Sequence, residues 1–407
     1  MEWFVDIEFV DRVKDAWVAV SSTVSAKQQE WKQYVGTIPT FTSWRYSGSG
    51  IVMVADVGLL EASMVSIRMF RESRGNTAIE LWYRKGLIDP VALKAPLDWL
   101  NIKTREFEES IRATAVSVDF DDIDRHPDTR YAKLKALALI HSSFKDVLLL
   151  DPDVIPIVPI DALFQHHTFQ SSGCTLWPDY WKSSPANPIW DIIGSKAPAS
   201  WEQDGSIMLV NKATLWREIH LMLHFSTEYY MPFSNGGKDL LLHACRALGT
   251  TCDMIRKRPS PLGMMGDSSD SFCGFAMLQH GHSGEQLFVH HHLRSKEELF
   301  DIDLGHTMSA PDYGDGIVRA VRGGRLQRNW DPRPECVSLE SAWPPGHELY
   351  SARVATVSSS NLLVFSERLS LAWNLMYRAV CDCSELFKVP ATPKPRQQVY
   401  TRRPTYR

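Results

Sequence analysis

The chain reads as an α/β protein, one sheet with helices packed against it, and three observations predict that class. Apolar runs of strand length alternate with amphipathic stretches of helix length between residues 48 and 296. The run Val147-Leu148-Leu149-Leu150 is short, continuous and bounded by polar residues, as a buried strand is. Just ahead of it, Arg130 to Ser143 sets Leu134, Leu137, Ala138 and His141 at near-helical spacing. A helix followed by a buried strand is half of an α/β unit, and such sheets bind ligands at the carboxyl ends of their strands.

Residues 1–45 read as a helical extension that ends near Pro39, with Trp3, Phe4, Phe9, Val13 and Trp17 on one stripe. Ile51 to Val57 is a buried strand, Leu59 to Glu72 an amphipathic helix, and Ala78 to Arg84 a second strand. Trp201 to Asn211 supplies another strand and Lys212 to Glu228 another helix. Lys238 to Leu248 is a helix carrying Leu241, Leu242, Ala244 and Cys245. Phe275 to His280 and Leu287 to His292 are late strands. The main domain is therefore placed at 46–300, with an irregular Gly-, Pro- and Asp-rich stretch and one helix over 301–388. That helix, Asn361 to Cys381, shows Leu362, Phe365, Leu369, Trp373, Met376 and Val380 on the face expected to pack on the core. Residues 389–407 are Pro-rich and basic and read as a flexible tail.

With 407 residues, 44% of them hydrophobic, and a net charge of −4, the chain can bury a large core and has no electrostatic footprint for nucleic acid. It contains no run of 18 apolar residues, so no membrane span is expected. Its first residues are acidic and lack the basic and apolar regions of a signal peptide, which points to the cytoplasm. The seven cysteines are odd in number and irregularly spaced, and Cys381 and Cys383 are too close for a usual zinc pair. They are expected to be buried or incidental thiols.

Directly after the apolar run comes Asp151-Pro152-Asp153. Two carboxylates at a strand end can hold a hard divalent cation that also binds substrate phosphates. The pattern is common, and Asp119/Asp121, Asp122/Asp124 and Asp301/Asp303 repeat it, so the strand-end position is what singles out Asp151 and Asp153. Gly48-Ser49-Gly50 could admit a nucleotide closely, but no G-x-G-x-x-G or Walker pattern is present.

The stretch from Lys133 to Phe164, KLKALALIHSSFKDVLLLDPDVIPIVPIDALF, resembles the core of the fungal α-mannosyltransferases that extend Golgi and cell-wall glycans. Gly173 to Trp181 resembles that family's Trp-Pro-Asp-Tyr segment. Asp204-Gly205-Ser206 falls where the family has Glu-Ser-Gly, Gly236 to Asp239 where it has Gly-Asp-Lys, and Phe288 to Lys296 where it has a His followed by a Lys. Val154 stands in place of the usual Asn. The resemblance implies a GT-A-like, single Rossmann-type mixed sheet flanked by helices, with helical N- and C-terminal additions. It implies a retaining hexosyltransferase that uses Mn²⁺ or Mg²⁺ and a nucleotide sugar, GDP-mannose or UDP-glucose.

The resemblance also assigns roles. Asp151 and Asp153 would hold the metal, with a third ligand from His290-His291-His292, where His291 best matches the spacing to Lys296. Lys135 would approach the donor phosphates, with Lys238, Lys296 and Gly50 as further donor-binding candidates. Asp204, then Asp239, are the candidate acids at the sugar, acting as stabiliser, hydrogen-bond partner or nucleophile; same-face attack with the leaving phosphate as base is the other route. Trp177, Asp179, Tyr180 and Trp181 would line the acceptor side. That aromatic cluster and the missing anchor favour a small lipophilic fungal product, such as a terpenoid, as acceptor. The alternatives are a Golgi glycan mannosyltransferase without its anchor, or a homologue that binds sugar nucleotides without turnover.

Overall fold

A computed structural model describes residues 23–56, 59–87, 100–112, 118–179, 182–183, 185–234, 237–265, 271–291, 308–309 and 335–338. The stripe expected before residue 23, the helix at 361–381 and the basic tail lie outside them. So do Tyr180, Trp181, Asp301, Asp303 and Lys296.

The sheet-forming strands are β1 (Ser49–Ala55), β2 (Ala78–Tyr83), β3 (Ile102–Glu106), β4 (Asp146–Leu150), β6 (Cys174–Pro178), β7 (Gln203–Asn211) and β8 (Asp253–Met254). Their order is β3-β2-β1-β4-β7-β6-β8. β1, β2, β3 and β4 pair in parallel, β7 runs antiparallel to both β4 and β6, and β6 is parallel to β8. The alternating pattern predicts the parallel part of this sheet and its flanking helices, and the mixed character that β7 adds is what the family resemblance implies. A second, antiparallel sheet joins β5 (Val154–Pro156), β9 (Ser260–Met265), β10 (Ser271–His280) and β11 (Gln286–His291). Only its two late strands were legible in the sequence.

Side chains on β4 alternate between the two faces of the sheet, and the core divides accordingly. Val147 and Leu149 join a layer with Leu134, Leu137 and Ile140 of α5 (Pro127–His141), Met222 of α8 (Lys212–Phe225) and Leu241 of α9 (Leu240–Leu248). Leu148 and Leu150 join the opposite layer, with Ile67 and Phe70 of α2 (Leu60–Glu72), Phe169 and Phe288. α5 opens with Pro127, whose fixed φ suits a first helical turn. The described part of the N-terminal extension is α1 (Val24–Thr37), which docks on the core through buried Trp31, whose indole N–H donates to Ile192 O at 2.9 Å.

Two sequence expectations are corrected here. Gly50 belongs to packing: a Cβ there would meet the Phe144 ring at 2.2 Å. It also stands near the start of β1, opposite Val147 at the start of β4, and so at the far edge from the strands' carboxyl ends. Cys174 and Cys252 form a disulfide, with the Cys245 sulfur 3.0 Å from Cys252. The parallel register Thr175↔Asp253 brings the two preceding cysteines side by side across 78 residues of sequence, a proximity that spacing alone does not reveal.

Burial holds three histidines neutral. The rings of His141 and His220 are pushed down to about 4, and that of His243 to about 3. Neither ring nitrogen of His243 has a hydrogen-bond partner. A histidine whose pKa falls on folding costs nothing above its ordinary 6.5, and destabilises as pH drops below that, because the unfolded chain takes the proton first. Each contributes up to about 1.4 kcal/mol per pH unit within that window. His290 and Asp239, whose values rise on folding, act in the opposite sense, so the test is a difference: the urea midpoint of His243→Leu is expected to gain on that of the parent as pH falls from 7 to 5. A midpoint difference equal at the two pH values would refute this.

Candidate active site

The site is built where the chain leaves one sheet for the other. At the carboxyl end of β4 the Asp151 N–H still donates to Ser206 O of β7, at 2.9 Å. Val154 N–H then donates back to Asp151 O at 3.0 Å, closing a turn over Pro152 and Asp153. The next three residues are β5, which pairs not with the main sheet but with β11. Ser66 of α2 fastens this corner by donating to Val154 O. The β5/β11 register sets His290 opposite Val154 and so beside Asp153, with His290 Nε2 3.7 Å from Asp153 Oδ2.

Asp151 is held from α5. Tyr131 and Lys135 stand four residues apart on that helix, which puts both on one side. The Lys135 ammonium lies 3.1 Å from Asp151 Oδ2 and donates to Gly205 O at 2.7 Å, while the Tyr131 hydroxyl lies 3.3 Å from Asp151 Oδ1. Burial, with Asp151 and Asp153 adding to it, holds Tyr131 well above the usual phenol range, so it stays a donor. Burial also raises the Asp151 carboxyl; Lys135 works against this, and Asp153 with it. Lys133 instead reaches Asp122 at 3.6 Å, on the outer side of the helix.

Asp204 lies buried in β7, and each of its oxygens takes two donors. Oδ1 accepts from the Ser206 N–H at 3.1 Å and from the Ser206 hydroxyl. Oδ2 accepts from Gln279 Nε2 at 2.8 Å and from His290 Nδ1 at 3.2 Å. A carboxylate has about four lone-pair positions, and all are spoken for. Burial would raise this carboxyl, but His290 and Ser206 hold it far below the ordinary range. Burial would lower His290, yet Asp204 and Asp153 keep it well above its usual value.

A second acidic nest lies next to the first. Lys238 pairs with Asp179 and, at 2.7 Å, with Glu202 Oε2. Asp239 accepts the Gln203 N–H at 2.6 Å, and burial together with Glu202 raises its carboxyl, while Lys238 and the Gln203 N–H work the other way. The nest touches the first site through Gly205, where a Cβ would stand 2.6 Å from Lys238 Cα. Any side chain at 205 would displace the 237–239 turn.

The structure brings together Asp151, Asp153, Asp204, Lys135 and a histidine of the triplet. That histidine is His290; His291 is the last residue of β11, and its side chain lies outside the described residues. Lys238, Asp239 and Asp179 meet one another in the nest rather than facing open space. Trp177 is a correction to the expected acceptor wall. It is fully buried, donates to His280 O at 2.8 Å and packs edge-on against Phe288. The rival acids also fall away: Asp119 caps α4 (Phe120–Arg125) by accepting the Asp122 N–H, and Asp124 pairs with Arg84 on the surface. Sequence reading missed Tyr131 and Gln279. The i, i+4 spacing of Tyr131 to Lys135 was the one available signal, whereas Gln279 had none.

Asp153 Oδ2 and His290 Nε2 lie near the separation of two ligands sharing one ion, about 3–4 Å for bonds near 2.1 Å. Asp153 is the most open acid here, its side chain 36% exposed, so it can meet a solvent-borne ion. Two carboxylates and an imidazole suit Mn²⁺ or Mg²⁺, and the donor set fits. Asp151 would have to share its Oδ2 with Lys135 or turn Oδ1 inward. Among the described residues, only Cys174, Cys245 and Cys252 already have three ligand atoms within 4.8 Å of one another.

Residues 48–205 match the family described as "Mannosyltransferase putative". The chain is 25% identical over 306 residues to alpha-1,2-mannosyltransferase MNN2 of Saccharomyces cerevisiae, covering 63% of this chain and 50% of that one. It is 47% identical over 193 residues to alpha-1,2-mannosyltransferase MNN21 of Candida albicans, covering 36% and 29%. The chain thus spans half or less of the length of these two relatives. Among solved structures, the S. cerevisiae mannosyltransferase Ktr4p overlays with a TM-score of 0.35 at 10% identity, covering 60% of this chain and 82% of that one. The galactosyltransferase LgtC overlays with a TM-score of 0.34 at 16% identity, covering 51% and 73%. Over the segment that carries Lys135, Asp151 and Asp153, the chain is similar to the fungal α-1,2-mannosyltransferases, the family its sequence resembles.

Proposed function

We propose that this chain forms the transferring domain of a retaining α-mannosyltransferase, which moves mannose from GDP-mannose to a hydroxyl of a mannoside glycan. The observation that carries the reading is the corner at Asp151 to Asp153 at the end of the central strand β4, where Asp153 Oδ2 lies 3.7 Å from His290 Nε2 and Asp151 is held by Lys135. The family match covers that corner, and the named relatives are mannosyltransferases, which supports mannose over glucose as the sugar.

Asp151, Asp153 and His290 would hold the divalent cation, which would offset charge on the departing nucleoside diphosphate. Lys135 fixes Asp151 and lends its own positive charge to the phosphate side of the site. Asp204 has four donors and no lone pair turned towards a sugar, which disfavours it as a nucleophile. Asp239 is fully buried and engaged by the Gln203 backbone N–H, which disfavours it too. The reading is therefore same-face attack, in which the leaving phosphate takes the acceptor's proton.

Two observations support a glycan acceptor over a lipophilic one. Trp177, the one described aromatic of the expected acceptor wall, is buried in the core. The Cys174–Cys252 disulfide suits an oxidising compartment such as the Golgi lumen rather than the cytoplasm. No helix among the described residues is long and apolar enough to cross a membrane.

Asp153→Ala should lower kcat/KM for mannosyl transfer at least about a hundredfold, the scale of losing one transition-state charge contact. Its thermal midpoint should stay within about 3 °C of the parent, because the side chain is partly exposed and has little packing to lose. Excess chelator should mimic the variant and Mn²⁺ should reverse it; full activity in chelator would sink the metal reading.

A competition assay settles the acceptor. Given GDP-mannose, α-mannosides and a panel of terpenoid alcohols together, the enzyme should form mannosylated mannosides only. Products on the terpenoids alone, read by mass spectrometry, would restore the natural-product reading. Calorimetry should show GDP binding at least about tenfold tighter than UDP, since a site built for one base leaves groups unpaired with another.

A further inference from the structure

Gln279 is a fully buried amide on β10, a strand of the second sheet, yet its side chain works inside the first. Its Nε2 donates to Pro178 O at 2.9 Å and to Asp204 Oδ2 at 2.8 Å. Both hydrogens of the amide are thereby used. The orientation is fixed by chemistry, because a flipped amide would aim its oxygen at a carbonyl and a carboxylate. Its own Oε1 is buried without a hydrogen-bond partner. A buried amide left half satisfied costs stability, so the two bonds it does make need a reason beyond folding.

The reason lies one bond further on. Asp204 Oδ2, the oxygen held by Gln279, is the one that accepts from His290 Nδ1 at 3.2 Å. The Ser206 hydroxyl lies 3.1 Å from the same nitrogen, but its hydrogen goes to Asp204 Oδ1. With Nδ1 tied down, the opposite nitrogen Nε2 faces Asp153. Carboxylates that fix the ring and tautomer of a ligating histidine in this way alter metal affinity about 10- to 100-fold when removed. Gln279 would stand one shell beyond such a carboxylate.

We infer that Gln279 is a positioning residue for the transfer site: it holds Asp204 so that Asp204 fixes the His290 ring with Nε2 towards Asp153. It touches neither donor nor acceptor. The ring-fixing role rests on geometry alone, while its effect on catalysis rests on the transferase reading above.

The test begins with the apo protein. With ¹⁵N-labelled histidine, and His290 assigned from the spectrum of His290→Gln, the wild type should show a slowly exchanging Nδ1–H for His290. Gln279→Met keeps the volume and removes both donors, and should speed exchange of that proton at least tenfold. Gln279→Glu replaces the donors with an acid and should do the same, which guards against one variant failing to fold. The second measurement is calorimetric titration of Mn²⁺ in the presence of GDP. Gln279→Met should raise the half-saturating Mn²⁺ concentration at least about tenfold. In an Asp204→Asn background it should add less than twofold, because the path through Asp204 is already broken. An unchanged His290 proton in both variants overturns the inference, as does a full tenfold effect of Gln279→Met in the Asp204→Asn background. Failure of Mn²⁺ and GDP to bind the wild type would sink the transferase reading instead, and the exchange measurement would still decide the role of Gln279.

Discussion

A carboxylate withdrawn from water must be met by donors or cations, and the centre of this molecule is arranged around that requirement. Asp151, Asp153, Asp179, Glu202, Asp204 and Asp239 crowd a region served by Lys135, Lys238 and His290. Acids outnumber bases, so each cation is shared. Lys135 serves Asp151 and a backbone carbonyl, Lys238 serves two carboxylates, and burial with Glu202 raises the Asp239 carboxyl. Such a region is costly to bury. Its surplus of negative charge is what the proposed divalent ion would offset.

The same requirement links the two sheets. β10 and β11 belong to the antiparallel sheet, but Gln279 and His290 from these strands complete the hydrogen bonding of Asp204 in the mixed sheet. The corner at Asp151 to Asp153 is one covalent link between the sheets, and Asp204 is one of the hydrogen-bonded ones, beside Trp177 to His280 O and Gln279 to Pro178 O. Lys135 ties both to α5 by bonding Asp151 and the carbonyl of Gly205, next to Asp204.

Much of the main sheet was legible in the sequence because its signal is local. β1, β2, β4, β7 and the helices α2, α5, α8 and α9 each carry their own periodicity, and each appears within a few residues of its expected place. Asp151 and Asp153 were legible because they follow such a strand. What was hidden depends on pairing between distant segments. The face of β11 that meets the carboxylates is set by its register against β5, so three consecutive histidines could not be told apart. Trp177 looked like a binding wall because it stands in an aromatic cluster that resembles the family's Trp-Pro-Asp-Tyr segment, yet β6 is flanked on both sides by β7 and β8 and its tryptophan is buried. The Cys174–Cys252 bridge depends on the neighbouring of β6 and β8, which no spacing rule encodes.

The short turn between β10 and β11 has a consequence of its own. It spans residues 281–285 and closes with Gly281 N–H donating to Glu285 O and Gly284 N–H to Gly281 O. β11 pairs with β10 on one side and β5 on the other, so the length of that turn, together with the bulge that shifts the register between Gln279 and His280, sets where the residues of β11 fall along both partners. Side chains on a strand change face at every residue, so a slip of one position would exchange the histidine at the carboxylates for its neighbour. The turn and the bulge thereby act together as a gauge for which histidine reaches the carboxylates.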